Sequence, residues 1–430
     1  MPASLRLPDP PPARRYWLAF SGGLDSTVLL HLLAARGLPL TAVHVHHGLQ
    51  AQADAWAVHC QAVCDALGVP LEQLRVQVRP AGEGPEAAAR AARYRALAAC
   101  LGPGEILATA HHRDDQAETV LLRLLRGSGV RGLAAMKPLS NFAAGQLWRP
   151  LLGERRAALA AWAAERGIHG LHDPHNEDPR YARSWLRQQI MPLLRQRYPQ
   201  ADEALARAAG QAREAQAALT ELAELDGAQA QAREGYGPAL RISRLQALSP
   251  ARRHNLLRHW LEQAGHAPPD AAFWPRLDAE VLGARPDGEP CLRLGEYEFR
   301  RYRDALYLMA VLPPPPAVSC AWEDGPGLEL PPGCGRLDAR RAPPFAVAVR
   351  FARGGERIRL RGRHRTLKQL AQQAGIPPWV RLRMPLLYRG EQLICVADRW
   401  ADDELAGIVC DWGLRWQAPW QPPPPQPEPE

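Results

Sequence analysis

Long apolar runs and paired cysteines are what this chain of 430 residues lacks. No hydrophobic stretch approaches the roughly 18 residues of a membrane span. The opening MPASLRLPDPPPARR has arginines and prolines but no apolar core of signal-peptide length. A soluble, cytoplasmic protein is therefore expected. Its 8 cysteines are scattered and too few for a disulfide scaffold, and no CxxC occurs. Cys60 and Cys64 form the one close pair, and the apolar spacing of DAWAVHCQAVCDALG turns both towards a core. GxxxxGK[ST] is missing, which excludes a Walker A loop, and so is the GxGxxG dinucleotide fingerprint. No internal repeat is visible.

What is present suits a globular chain: 46% apolar residues, and a length appropriate to roughly two to four domains. The formal charge is +8, and its distribution says more than its sum. Between Arg350 and Lys368 there are eight Lys/Arg residues and one acid, Glu356. RIRLRGRHR alternates basic and apolar or glycine positions. Read as a strand, that period puts Arg357, Arg359, Arg361, Arg363 and Arg365 on one side, a stripe suited to a phosphate backbone.

From residue 16 to about 175, strand-like and helix-like segments alternate: YWLAF then TVLLHLLAARG, LTAVHVHH then DAWAVHCQAVCDALG, LEQLRVQV then EAAARAARYRALAAC. EILATA then DDQAETVLLRLLRG and LWRPLL then RRAALAAWAAERG complete the series. Gly37, Gly68 and Gly127 stand where helices should stop. This order predicts an α/β domain with a Rossmann-like parallel sheet. A mainly helical middle domain and a small α+β C-terminal domain should follow. The expected boundaries are 1–198, 199–312, a Pro-rich linker region at 313–339, 340–418, and a disordered tail at 419–430.

The sharpest motif is FSGGLDSTVLL, from Phe20 to Leu30, placed where the first strand turns into a helix. Glycines let backbone N–H groups approach an anion, and the helix that follows adds its N-terminal dipole. Ser21, Ser26 and Thr27 offer hydroxyls. Asp25 is the odd member, because a carboxylate beside phosphates is repulsive unless a cation bridges them. That implies Mg²⁺. HHRDDQAET follows EILATA and so faces the same sheet edge. There, Asp114 and Asp115 either cap the helix or approach the metal or a substrate ammonium, and His111 and His112 offer proton-transfer or stacking groups.

SGGxDS in this setting resembles the loop of the PP-loop (N-type) ATP pyrophosphatases. HVHHGLQAQADAW, EAAARAARYRAL, AHHRDDQAETVLLRLLRGSG, RPLL, DPHNEDPRYARSWLR, PCLRLGEYEFRRY and IPPWVRLRMPLLYRGEQL resemble the tRNA(Ile)-lysidine synthases over nearly the whole chain. The resemblance implies ATP bound by Ser21, Gly22, Gly23, Leu24, Asp25 and Ser26, with His46 or His47 near its base and ribose. It implies Mg²⁺ at Asp25 and Asp114, and catalytic roles for Asp25, Asp114, Asp115 and His111. The implied substrates are free L-lysine and tRNA(Ile) with a CAU anticodon, and a homodimer is compatible with it. Arg90, Arg93, Arg183, Arg187, Arg359, Arg361 and Arg363 would contact tRNA or substrate, and Asp173, Asn176 and Asp178 share the Arg183 run. One departure stands out: Ser184 replaces the asparagine that usually follows this arginine. The implied reaction adenylates the wobble cytidine and lets lysine displace AMP. A 2-thiolating PP-loop enzyme would carry the absent CxxC pairs. A non-catalytic RNA-binding protein would not need SGGLDS and HHRDDQAET intact.

Overall fold

A computed structural model describes residues 5–46, 53–77, 85–172, 178, 180–232, 235–285, 288–323 and 325–419. His47, Asp173 and Asn176 lie outside them, as does nearly all of the C-terminal tail. The chain forms two compact units, residues 1–218 and 219–430.

The first unit runs β1 (Arg15–Ala19), α1 (Leu24–Ala34), β2 (Leu40–His46), α2 (Ala53–Leu67), β3 (Leu71–Arg75), α3 (Pro85–Cys100), β4 (Glu105–Ala108), α4 (Arg113–Leu125) and α5 (Val130–Leu133). It continues through β5 (Leu139–Phe142), β6 (Gly145–Trp148), α6 (Arg156–Ala164), α7 (Ala182–Trp185) and α8 (Met191–Arg197) to the long α9 (Ala201–Ala230), whose later residues belong to the second unit. Alternation along β1 explains why it sits at the sheet's centre. Tyr16 and Leu18 pack with Val28, Leu29 and Leu33 on one face, while Trp17 packs with Val43, Leu97 and Leu107 on the other. A strand buried on both faces must be covered by helices on both. The strand order is β3-β2-β1-β4-β6-β5, parallel except for β5. The chain therefore winds one way from β1 to β3 and the other way from β4, so a crevice opens beyond the carboxyl ends of β1 and β4. SGGLDS leaves β1 and HHRDD leaves β4, both into that crevice.

Gly37, Gly68 and Gly127 take left-handed φ values of 64°, 63° and 71° just beyond α1, α2 and α4, as the sequence leads one to expect. Between α7 and α8 the helix widens into a π turn at Leu186–Ile190. Pro192 follows and has no N–H with which to continue an α-type ladder.

In the second unit, α10 (Ile242–Ala247) and α11 (Pro250–Gln263) cover an antiparallel sheet of five strands that includes the Cys291–Ala310 meander. Ser249 caps α11 by accepting the Arg252 N–H, and Pro250 takes the first helical position. Trp274, Phe299, Leu257 and Leu306 fill the space between sheet and helices. Two expectations need correction here. Residues 313–339 are only partly linker: Cys320–Trp322 joins the C-terminal sheet, and Gly327–Glu329 and Arg336–Asp338 pair with each other in a sheet closed by Arg415–Gln417. The arginine stripe is not one strand either. Arg357–Leu360 and Arg363–Thr366 form a hairpin around Arg361 and Gly362, whose φ values are 51° and 75°. Facing pairs such as Arg359 with His364 and Ile358 with Arg365 share a side, so Arg357 and Arg359 lie on one face and Arg363 and Arg365 on the other.

Candidate active site

The loop after β1 is clamped from two sides. Gly22 has φ +78°, and a Cβ there would come within 2.7 Å of Leu171 Cδ1 and 2.9 Å of Cys60 Sγ. Leu171 donates its N–H to the Gly22 carbonyl at 2.8 Å. Gly170 passes so close to the Leu24 backbone that no side chain fits between them. Cys60 and Cys64 are fully buried, as their spacing suggests, and burial pushes their thiols up to about 12 and about 11. They are inert packing beneath the loop, not nucleophiles.

The hydroxyls of this loop turn inward. Ser26 Oγ donates to the Gly23 carbonyl at 2.9 Å, and Thr27 Oγ1 donates to the same oxygen at 3.0 Å. Ser21 Oγ lies 3.1 Å from Ser26 Oγ. No side chain caps the N-terminus of α1. An uncapped helix start at the carboxyl edge of a parallel sheet is an anion site.

Asp25 occupies the first turn of α1. Its Oδ2 lies 3.7 Å from His112 Nε2 and 3.7 Å from Arg156 Nε, while its Oδ1 is buried and has no hydrogen-bond partner. An unsatisfied buried carboxylate oxygen is costly, and a hard cation satisfies it. The donor set thus suits Mg²⁺ at Asp25. Asp114, the other residue expected at the metal, accepts the Arg156 N–H through Oδ2 at 3.0 Å and Arg195 Nη2 through Oδ1 at 3.0 Å. Both of its oxygens being engaged, Asp114 positions α6 and Arg195. No three His, Cys, Asp or Glu side chains converge as a metal cage among the described residues.

HHRDD both caps and equips α4. The N-cap is His112, 2% exposed, in a reciprocal capping box with Asp115. Burial alone would lower the pKa of His112, but Asp25, Asp115 and Asp114 outweigh it and raise it. Burial would raise Asp115, yet His112 and Arg183 bring it below the usual carboxylate value. His111 behaves oppositely to its neighbour: burial, with Arg149, Arg183 and Arg90 close by, drives it down to about 3 despite Asp115, so it is neutral at physiological pH. Its Nδ1 lies 2.8 Å from Thr109 Oγ1.

Glu118, one turn along α4 and 1% exposed, was not singled out by the sequence as a site residue, yet it organises the wall. It accepts Arg183 Nε at 2.8 Å and Arg187 Nε at 2.7 Å, while Asp115 Oδ1 accepts Nη2 of both arginines at 3.1 Å. The helix of which these arginines are part thereby locks to α4. Ser184, between them, is buried.

The other sequence candidates make contacts of their own. Arg90 stacks over Tyr94 at 4.9 Å and donates to its hydroxyl at 3.4 Å. Arg93 has open surface but is walled in, and that surrounding protein together with Arg90 and Arg183 lowers its pKa against the pull of Tyr94. A cationic cleft wall fits both facts. His46 ends β2 with Nε2 at 3.1 Å from Asp54, and Asp178 pairs with Arg180. In the second unit Arg359 pairs with Glu404 at 2.7 Å, whereas Arg361 and Arg363 are exposed.

Comparison with known proteins decides between the readings. Residues 4–194 match the PP-loop domain, 240–307 the TilS substrate binding domain and 347–418 the TilS substrate C-terminal domain. The tRNA(Ile)-lysidine synthase of Alkalilimnicola ehrlichii is 48% identical over 408 residues, 90% of each chain. That of Xanthomonas campestris pv. campestris is 47% identical over 431 residues, 97% of each chain. The chain belongs to the tRNA(Ile)-lysidine synthase family. A third member, from Pseudomonas fluorescens, is 45% identical over 94% of this chain. Membership makes the chain an ATP-using ligase with a PP-loop ATP-binding domain. No helix among the described residues is long and apolar enough to cross a membrane.

Proposed function

We propose that this chain joins free L-lysine to carbon-2 of the wobble cytidine in the CAU anticodon of tRNA(Ile), forming lysidine and changing codon reading from AUG to AUA. In the first step the cytidine O2 attacks the α-phosphorus of ATP. The O2–Pα bond forms, the bond from Pα to the bridging oxygen breaks, and pyrophosphate leaves. In the second, the lysine Nζ attacks carbon-2, the C2–O2 bond breaks and AMP departs with that oxygen, while the amine gives up a proton. A pyrimidine carbonyl oxygen is a poor leaving group until it carries a phosphoryl group. A base in a single-stranded loop is splayed out at low cost.

The observation that carries this reading is the pairing of the uncapped α1 with the partnerless Asp25 Oδ1 at the switch of the sheet. In our reading Ser21, Gly22, Gly23, Leu24 and Ser26 hold the departing diphosphate, and His46 borders the nucleoside. Asp25 would hold Mg²⁺, which when bound neutralises charge on the phosphates. Asp115, kept ionised by His112 and Arg183, anchors the lysine ammonium, and Glu118 holds Arg183 and Arg187 in place. A carboxylate so depressed is a poor base, and a neutral His111 is a hydrogen-bond partner and not a cationic acid. Arg90, Arg93, Arg183 and Arg187 meet the negative charge of nucleotide and anticodon.

The division of labour follows from the same reading: 1–198 carries the chemistry, 199–312 and 340–418 hold the tRNA, and Arg359, Arg361 and Arg363 touch its backbone. The protein works in the cytoplasm, where its RNA is, and as a homodimer, which sedimentation would test. The direct test of the activity is nucleoside mass analysis after incubation of unmodified tRNA(Ile) with ATP and isotopically labelled lysine. Lysidine carrying the label supports the proposal; labelled lysine that never enters the tRNA ends it.

A further inference from the structure

Arg156 has no part in the reaction described above, and the sequence does not single it out. It is the first residue of α6, and α6 lies against α1, so Arg156 and Asp25 are carried by two packed helices. Asp114 fixes its backbone N–H at 3.0 Å, which sets the point from which its side chain starts. Its Nε then lies 3.7 Å from Asp25 Oδ2, with 53% of the side chain exposed. Charge-assisted N–H···O bonds are typically about 2.7–2.9 Å, so this pair is held by charge alone and not by a formed hydrogen bond. The neighbouring Arg155 is engaged differently, in an ion pair with Glu203, which also takes Arg113 at 3.0 Å. Among the described residues Asp25 is the one carboxylate paired with the Arg156 side chain. Its planar fork of donors thus belongs to a half-exposed side chain held near the first turn of α1.

We propose that Arg156 is a displaceable counter-ion: it neutralises Asp25 while the nucleotide site is empty and transfers its fork to the triphosphate when metal-bound ATP arrives. A cation parked on the carboxylate keeps Asp25 from repelling an approaching polyphosphate. The metal then takes over the carboxylate, which frees the guanidinium for the phosphates. This rests on the reading of Asp25 as the metal-holding acid.

The two halves of the exchange make opposite predictions for one substitution. In Arg156→Ala, Mn²⁺ alone, followed by the electron paramagnetic resonance of the free ion, should bind the nucleotide-free protein several-fold more tightly, because one of the two side chains that compete with it for Asp25 Oδ2 is gone and only His112 remains. The same variant should bind α,β-methylene-ATP about tenfold to a hundredfold more weakly by calorimetry, the scale of one charge-assisted hydrogen bond removed. Arg156→Lys, which keeps the charge and loses the fork, should restore wild-type Mn²⁺ binding and only part of the nucleotide affinity. Wild-type values for both ligands in Arg156→Ala would overturn the proposal. So would a joint weakening of both with a lowered melting temperature, since that is the mark of a structural residue. Wild-type protein that binds neither Mn²⁺ nor the analogue would overturn the reading of Asp25 itself, a result distinct from either of those.

Discussion

At Asp25 two demands meet on one side chain: it begins a helix that attracts anions, and it keeps one oxygen buried without a partner. Replacing it with alanine removes the group that a metal would satisfy and leaves the tRNA-binding surfaces alone. Asp25→Ala should abolish adenylation, measured as pyrophosphate release, while tRNA affinity stays within a few-fold; surviving turnover would remove Asp25 from the metal site. Glu118 makes a different prediction because its work is structural as well. Truncating it leaves Arg183 and Arg187 resting on Asp115, and each charged hydrogen bond lost costs about 1.5–3 kcal/mol. Glu118→Ala should therefore lower the denaturation midpoint as well as activity, and a variant with native stability would show that Asp115 alone holds the arginines. The motif residues Asp25 and Asp115 were legible in the sequence because each sits in a short, chemically odd segment. The partners of Glu118 were not, since Arg183 and Arg187 lie 65 and 69 residues further on and only the tertiary fold brings them to it. Asp115 caps α4, one of the two roles expected of it, and also pairs with two arginines that the sequence did not connect to it.

Among the elements, the order of strands and helices in the first unit could be read from periodicity, because apolar spacing of 2.0 or 3.6 is a local property. Two hairpins escaped. The β5–β6 turn passes through Ala143 at φ 50° without the Asn-Gly or Asp-Gly that marks such turns. In RIRLRGRHR the basic alternation runs on through the turn, and the only clue was Arg361-Gly362, both left-handed as a two-residue hairpin turn requires. The loop after β1 makes its own test. A side chain at Gly22 meets both a left-handed backbone and the atoms of Leu171 and Cys60, so Gly22→Ala should displace the loop and cost nucleotide affinity while the far-ultraviolet spectrum stays native. In the second unit, α11 is fastened by Asp278, which accepts Arg253 Nε at 2.9 Å and Nη2 at 2.8 Å and lies 2.9 Å from His254 Nε2. Burial pushes the Asp278 carboxyl up, but Arg253 and His254 bring it below its ordinary value. A carboxylate whose folded pKa is depressed stabilises the fold above its unfolded value of about 3.9 and loses that contribution as pH falls through the folded value. Wild-type protein should thus lose more stability between pH 5 and pH 3, by about the contribution of one such ion pair, than Asp278→Asn does; parallel urea midpoints across that range would contradict this.

For the whole molecule, the excess of positive charge matters through where it is displayed. The hairpin divides the basic run between two faces; Arg359 is partly neutralised by Glu404, and Arg361 at the turn and Arg363 are exposed as well. Deleting everything after the prolines is a poor test of tRNA binding, because Tyr236 and Tyr307 share a core with Trp379 and Trp412 and would be uncovered. Reversing Arg359, Arg361 and Arg363 to glutamate leaves that core intact. The triple variant should bind tRNA more weakly and with a shallower dependence on salt, by about 0.9 in the logarithmic slope for each duplex phosphate that the hairpin no longer neutralises. An unchanged slope would dismiss the hairpin as an RNA-binding element. The claim on which the rest depends concerns which bond of ATP is broken. With tRNA(Ile), lysine and ATP labelled in its α-phosphate, chromatography of the products should show AMP in step with lysidine, and pyrophosphate beside it. Labelled ADP would mean that the loop after β1 releases the outer phosphate alone, and the account of adenylated cytidine would be contradicted.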